Sequence, residues 1–202
     1  NAIQTLYNDP YQVGNKPIMI AAAGNIKPYE GPYSVYGDSW VFPARYDEVI
    51  SVSASDIEDV KASYSCFGSH VEITAPGGTG YLNPQNQESA IISTSPMDTQ
   101  FFYYNDEGNL WPSGYAFTSG TSMTAPHVSG VVALILSYYQ HNNITISNEE
   151  VKQRLLGTAD DIYGDNLIYT NELGAGRLNA YRALTEEPHP SVQVSDFKIN
   201  NQ

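Results

Sequence analysis

Two short stretches of the sequence carry residue types that could perform acyl transfer. In FTSGTSMTAPHVSGVVALIL, residues 117–136, Ser122 follows small residues at the start of an apolar run. A serine at a helix start lies near unpaired backbone N–H groups and the positive end of the helix dipole. Those N–H groups would stabilise the oxyanion formed when its hydroxyl attacks a carbonyl. A helix N-cap is the simpler interpretation of such a serine, and both interpretations are open at this point.

The second stretch is AAAGN, residues 21–25, which closes an apolar run that begins at Ile18. Three alanines and a glycine are too small to fill space, so a substrate side chain could lie against this backbone. The alternative for Asn25 is a chemically empty Gly-Asn turn, which is common after a strand. Taken alone, AAAGN favours the turn.

The helices and strands that must position these residues are predicted from hydrophobic periodicity and from turn and cap residues. The run Ile18–Ala23 does not alternate, which is typical of a parallel strand covered on both faces. The expected strands are Ile18–Ala23, Asp47–Asp56, His70–Gly78 and Ser89–Pro96, with a β-hairpin over residues 100–117. The expected helices are Ser122–Gln140, a capped helix from Ser147 to about Thr158, and a short helix after a glycine turn in residues 174–184. These elements predict an α/β fold with a mainly parallel sheet and a buried central helix that starts at Ser122.

Composition limits the class of protein and its partners. The chain has 202 residues, enough for one domain with a real core, and a formal net charge of −13. Nucleic acids and anionic membranes need clustered Lys and Arg, so both are excluded as expected partners. The longest apolar run, Val131–Leu136, is far shorter than the ~18 residues of a membrane span. A single cysteine, Cys66, allows no disulfide within the chain and says little about its compartment.

At this point four motifs, in order, resemble the subtilisin family of serine proteases, the subtilases. They are AAAGN, VFPARYDEVISVSASDIEDVKASYSCFGSHVEITAPGG (41–78), GTSMTAPHVSGVVALIL (120–136) and GAGRLNAYRAL (174–184). One departure is Thr124, where the family usually has Ala. Four ordered motifs are far more specific than one.

The resemblance implies a subtilisin-like three-layer fold and a role for each matched residue. Ser122 would be the nucleophile, and Asn25 would donate its side-chain amide to the oxyanion together with the Ser122 backbone N–H. The substrate-binding residues would be Ala22, Ala23, Gly24, Val41, Phe42, Gly120 and Thr121. Peptides or proteins would be the substrate, no cofactor would be required, and the protein would be secreted or held at the cell surface. A structural calcium ion could bind the carbonyls of Ala44, Tyr46 and Val49. Backbone ligands leave no pattern in a sequence, so the sequence does not test this option.

The nucleophile needs a base and an orienting carboxylate, and neither family motif occurs in this chain. Asp-Ser/Thr-Gly and His-Gly-Thr-His are both absent. His127 follows Ser122 by five residues and would point about 140° away from it on a helix. The other histidines are His70, His141 and His189, and none stands where the family has its base. We therefore expect residues 1–187 to be the C-terminal portion of a catalytic domain, with an insertion around 78–117 and a linker or downstream module at 188–202.

Three hypotheses for function remain. In the leading one, the chain is part of a secreted endopeptidase whose Asp and His lie in an N-terminal half that is missing or on a separate chain. In a related hypothesis, the chain belongs to a processing protease whose N-terminal half is a separate chain. The alternative is a non-catalytic pseudoprotease or interaction domain. A chain that keeps both Ser122 and Asn25 favours an enzyme.

Overall fold

The computed structural model describes residues 2–9, 16–25, 41–79, 89–95 and 114–187. After a short helix α1 (Ala2–Tyr7), three strands form one sheet: β1 (Met19–Ala22), β2 (Val49–Ser55) and β3 (Ile73–Pro76). Their order is β1-β2-β3, and both neighbouring pairs are parallel. Every residue of β2 is buried, as expected of a central strand covered on both faces. The predicted parallel sheet is confirmed.

A small second sheet lies in the region that the sequence indicates as an insertion. β4 (Ile91–Thr94) pairs antiparallel with β5 (Tyr115–Thr118). β4 confirms the fourth predicted strand. The hairpin predicted over residues 100–117 lies mostly outside the described residues, and its last residues belong to β5.

The long helix α2 (Thr121–His141) packs across the sheet and forms the centre of the core. It agrees with the predicted helix to within a residue at each end. One face is buried against Ile50, Val52 and Ile73 through a row of apolar side chains: Val128, Val131, Val132 and Ile135. The opposite face is exposed, with Leu134 51% and Tyr138 48% accessible. The expected burial of this helix therefore holds for one face within the described residues.

Two further helices complete the layer beside α2. α3 (Asn148–Gly157) starts with the predicted capping box, in which the Ser147 amide donates to Glu150 Oε2 at 2.7 Å and the Glu150 amide donates to Ser147 Oγ at 3.2 Å. α4 (Ala180–Thr185) follows the glycine turn, as expected. None of the described helices combines the length and the apolar character needed to cross a membrane.

A network of charged side chains joins the turn before α4 to the turn after β2. Arg177 Nη1 donates to both carboxylate oxygens of Asp59, at 2.7 and 2.8 Å, and Arg177 Nη2 donates to Asp160 at 2.5 Å. Asp160 also accepts hydrogen bonds from Arg182 at 2.9 Å and from Asn179 at 2.8 Å. Partial burial works against the charged carboxylate, but the hydrogen bonds from Arg182, Arg177 and Asn179 prevail and lower the pKa of Asp160.

We predict that Arg177→Met lowers the free energy of unfolding of the intact protein by about 2 kcal/mol, since it leaves the Asp59 carboxylate unpaired and removes one of the three residues that donate to Asp160. A lowered folded-state pKa stabilises the fold above the unfolded value and loses that effect as the pH falls through the folded value. The wild type should therefore lose stability below about pH 4 more steeply than the variant. Urea unfolding at pH 7 and pH 3 measures both effects, with Arg177→Lys as the matched variant that keeps the charge. Equal stability of Arg177→Met and wild type at pH 7 would contradict the prediction.

Candidate active site

The parallel sheet brings the two chemically suggestive stretches to one edge. Asn25 follows β1 and Gly77 follows β3, so both lie beyond the carboxyl ends of parallel strands. The start of α2 reaches the same edge, because the Gly120 amide donates to the Gly77 carbonyl at 3.0 Å. The sheet thus places Asn25 and Ser122 next to each other although they are far apart in the sequence.

The side chain of Asn25 is held by Thr121. Asn25 Oδ1 accepts a hydrogen bond from the Thr121 backbone N–H at 3.0 Å and a second from Thr121 Oγ1 at 2.9 Å. A backbone N–H can only donate, so the acceptor must be the amide oxygen, and the Nδ2 donor is left for another partner. Thr121 is one of the residues predicted to bind substrate, and in the structure it is hydrogen-bonded to Asn25.

Gly120 keeps a space open between two hydrogen-bond donors. Its φ of +150° is a backbone conformation that favours glycine. A Cβ atom at this position would lie 3.4 Å from Asn25 Nδ2 and 3.8 Å from the Ser122 backbone nitrogen. An oxygen atom in this space could accept from both donors, which is the arrangement that stabilises the oxyanion of acyl transfer.

Ser122 is the second residue of α2 and is exposed. The N-cap of α2 is Gly120, which makes no side-chain cap, so the interpretation of Ser122 as the helix cap is wrong. The Ser122 hydroxyl makes no hydrogen bond with any other residue in the described ranges. It is therefore available to an external partner and to a substrate.

None of the three described histidines serves Ser122 as a base. His127 is exposed, and its Nδ1 lies 2.7 Å from the Met123 carbonyl one turn earlier in the same helix. His70 precedes β3 and so lies at the amino end of that strand, away from the site edge. His141 ends α2, about 28 Å along the helix from Ser122. His189 lies outside the described residues.

The other residues predicted to bind substrate fall into two groups. Gly24 has a φ of +107°, and a Cβ there would lie 2.8 Å from Val41 Cγ2, so these two residues are in direct contact. Ala23 is fully buried against Cys66 and Val71, while Ala22 is partly buried in β1.

Phe42 is 51% exposed, and its ring lies 4.8 Å from that of Tyr46. Gly24 and Val41 thus lie together beside Asn25, whereas Phe42 packs on the neighbouring turn.

Tyr64 is a site-edge residue that the sequence analysis missed. Its hydroxyl lies 2.7 Å from the Gly77 carbonyl and 2.8 Å from the Gly78 carbonyl. The Gly77 carbonyl is also the acceptor for Gly120, so Tyr64 supports the segment that leads into Ser122. Burial raises the pKa of Tyr64 to about 12. Tyr64 could not be identified beforehand, because its partners are backbone carbonyls that leave no sequence pattern.

The described residues do not cluster metal-binding side chains. They contain no group of three or more His, Cys, Asp or Glu side chains able to hold one. On the turn expected to bind calcium, the Tyr46 carbonyl already accepts a hydrogen bond from the Val49 amide at 3.0 Å. Calcium takes six to eight oxygen ligands, so the carbonyls of Ala44, Tyr46 and Val49 alone would not complete its coordination.

Comparison with known proteins decides the family. The sequence profile described as the subtilase family matches residues 1–181. The chain belongs to the subtilase family. It is 35% identical over 166 residues to subtilisin DY of Bacillus licheniformis, a match that covers 82% of this chain and 46% of that protein. It is 31% identical over 184 residues to thermitase of Thermoactinomyces vulgaris, covering 91% of this chain and 49% of that protein.

Solved structures agree with this assignment. A crystal structure described as a lanthipeptide protease superposes with a TM-score of 0.60 at 26% identity, over 83% of this chain and 50% of that one. The chain is therefore a subtilase by family and has the α/β architecture expected from its sequence. The chain spans about half the length of each of these three proteins.

We predict that Tyr64→Phe lowers the free energy of unfolding of the intact subtilase by about 1 kcal/mol, because the Gly77 and Gly78 carbonyls lose a half-buried hydroxyl donor. The raised folded-state pKa means that Tyr64 stabilises the fold below the unfolded value and that this effect is lost as the pH rises above it. Urea unfolding between pH 8 and pH 11 measures this loss, which Tyr64→Phe should lack. Tyr181→Phe, at a 73% exposed tyrosine, is the matched control and should change stability by less than about 0.5 kcal/mol. A loss in the control equal to that in Tyr64→Phe would contradict the assignment.

Proposed function

We propose that this chain carries the nucleophile and the oxyanion hole of a subtilisin-like serine endopeptidase. Ser122 is the nucleophile, and Asn25 Nδ2 and the Ser122 backbone N–H are the two oxyanion donors. The observation that carries the proposal is the open space at Gly120, which lies 3.4 Å from one donor and 3.8 Å from the other when measured from its ideal Cβ position. The bond from Thr121 to Asn25 Oδ1 supports it, since this bond leaves the NH2 group free for the oxyanion.

In the proposed reaction, Ser122 Oγ attacks the carbonyl carbon of the scissile peptide bond while its proton passes to a base. The carbonyl oxygen becomes the oxyanion and accepts hydrogen bonds from Asn25 and Ser122. Collapse breaks the C–N bond, the base returns the proton to the leaving amine, and an acyl-enzyme ester remains on Ser122. Water attacks the ester through a second oxyanion in the same hole, which releases the acid and restores Ser122.

The base and its orienting Asp come, in this proposal, from a segment outside the described residues, in the same precursor or on a separate chain. The exposed face of α2 supports this. Its centre carries the small residues Gly130, Ala133 and Ser137, and the whole helix contains no Asp, Glu, Lys or Arg. A helix face meant for water normally carries charges, whereas small uncharged residues allow a close packing partner. β1 has an open edge in the described sheet, where a further strand could pair.

Further expectations belong to the proposal. The substrate is a peptide or protein, and its side chain before the scissile bond lies in a pocket formed by Ala22, Ala23, Gly24, Val41, Phe42, Gly120 and Thr121. Ala23 and Thr121 are buried and would support this pocket from behind its surface. Secretion is supported by relatives such as one described as an extracellular serine protease, from Natrialba magadii. No step uses a metal ion, and subtilases need no cofactor for catalysis. Calcium on the turn at Ala44 would be structural only.

We predict that a fluorophosphonate probe labels Ser122 in the complete protein, and that residues 1–202 alone are not labelled above background because the base is absent. Asn25→Ala should lower kcat by about 10²–10³-fold, the loss known for subtilisin itself when the corresponding donor is removed. Gly120→Ala should produce a comparable loss, since its Cβ would occupy the space between the donors.

Asn142→Ala is the matched control, since Asn142 lies at the opposite end of α2 and should leave kcat unchanged. Labelling followed by peptide mapping, together with kcat on a peptide ester, measures all of these effects. If Ser122 is not labelled in the complete, folded protein, the proposed endopeptidase activity is refuted. The non-catalytic pseudoprotease or interaction domain is then the remaining hypothesis.

The packing role of the exposed α2 face gives a separate prediction. Ala133→Arg should destabilise the complete protein by about 3 kcal/mol or more and abolish probe labelling, because it places an unpaired charge in the proposed contact. Gln153→Arg, on the exposed face of α3, is the control and should change neither. Thermal unfolding and labelling of both variants provide the measurement. A neutral effect of Ala133→Arg would show that this face of α2 is open to water.

A further inference from the structure

Lys61 is a buried ammonium held by backbone carbonyls and aromatic rings. The residue is 7% exposed, and its Nζ donates to the Ala62 carbonyl at 2.9 Å and to the Ser65 carbonyl at 3.0 Å. The rings of Phe67 and Tyr169 lie 5.1 and 4.9 Å from Nζ. In the part of the chain that the structure describes, no carboxylate lies within ion-pair distance of it. A buried charge without a counter-ion is costly.

The Ser65 carbonyl connects Lys61 to Asn25. This carbonyl and the Cys66 N–H belong to one peptide group, and that N–H donates to the Gly24 carbonyl at 2.9 Å. The Gly24 carbonyl in turn shares a peptide group with the Asn25 nitrogen, and Asn25 and Ser65 form a β-bridge. Two hydrogen bonds and two peptide planes thus lead from the Lys61 ammonium to the backbone of Asn25. A cation at one end of such a chain polarises each peptide and strengthens the bonds that follow.

Asn25 is thereby held at two points. Thr121 fixes its side-chain oxygen, and the Ser65–Cys66 peptide fixes its backbone. We propose that Lys61 is a positioning residue for the oxyanion hole, which acts through the Ser65–Cys66 peptide to hold Asn25 in place for its hydrogen bond to the oxyanion. The inference rests on the proposed function, because it assigns Lys61 a role in that same site.

The alternative is that Lys61 only stabilises the fold, and its titration separates the two roles. Burial lowers the pKa of Lys61 to about 8, against a smaller opposing effect from Cys66. Cys66 and Tyr169 are the titratable groups that face the ammonium from the elements packed on it. A lowered folded-state pKa means that loss of the proton favours the folded state as the pH rises from about 8 towards the unfolded value of 10.5. A positioning role therefore predicts that kcat falls over the same pH range in which the contribution of Lys61 to stability improves.

The test uses the complete protein and a peptide p-nitroanilide that the wild type cleaves. Lys61→Met should lower kcat about tenfold with little change in KM, because a charge-assisted hydrogen bond is lost. Lys61→Arg should restore most of that loss and move the fall in kcat above pH 8 to higher pH. In the Asn25→Ala background, Lys61→Met should change kcat less than about twofold, since the group through which it acts is gone. Lys61→Gln, which keeps a donor without charge, serves if Lys61→Met does not fold.

Lys152→Met is the matched control, because Lys152 pairs with Glu72 at 2.8 Å on α3 and lies away from the site. It should alter stability and leave kcat unchanged. The proposal is overturned if Lys61→Met lowers kcat equally with and without Asn25, or if wild-type kcat does not fall above pH 8 while Lys61→Arg behaves as the wild type. Failure of the proposed function itself is distinct, since the wild-type protein would then neither cleave the peptide nor take up the probe.

Discussion

The hydrogen bonds between Asn25 and Thr121 are the constraint on which the site depends. They join the end of β1 to the start of α2 across 96 residues of sequence. One proposed oxyanion donor belongs to each element, so the distance between the donors is set by this contact and by the glycine between them. Were Asn25 free to rotate, its amide would point a donor or an acceptor at the oxyanion space with similar ease. Thr121 removes that choice, because its backbone N–H donates a hydrogen bond that only the amide oxygen of Asn25 can accept.

The surrounding contacts support this pair from the backbone side. Tyr64 and the Gly77 carbonyl hold Gly120, and the Thr124 hydroxyl donates to the Thr121 carbonyl at 2.7 Å. Thr124, the departure from the usual Ala, is fully buried, and its hydroxyl also lies 3.4 Å from the Val52 carbonyl of β2. The threonine thus keeps a buried polar atom satisfied while it ties the first turn of α2 to the sheet. Thr124 in place of Ala therefore adds hydroxyl contacts to the Thr121 and Val52 carbonyls and removes no contact at the site.

The sequence predicted the elements well because their signals are local. The non-alternating run at Ile18, the capping box at Ser147 and the apolar row of α2 each express a periodicity or a cap within a few residues. Ser122 and Asn25 were predicted through resemblance, and the structure brings them together. Lys61, Tyr64 and the bond from Thr121 to Asn25 were not predicted, since each joins a side chain to a partner chosen by the fold. The exposed face of α2 was also missed, because an uncharged helix has the same sequence whether one or both faces are covered.

In the proposed enzyme, the oxyanion donors lie in the described residues and the catalytic base lies on another segment, and this separation has a physical consequence. The oxyanion donors are held by bonds within the described residues: Thr121 to Asn25, Gly77 to Gly120, and Cys66 to Gly24. Nothing in that set requires the base or its orienting carboxylate. The hole is therefore preorganised before the catalytic base docks, and electrostatic stabilisation of this kind needs no reorganisation at the moment of reaction. Docking of the remaining segment on α2 would then supply proton transfer to a nucleophile whose oxyanion site is already formed.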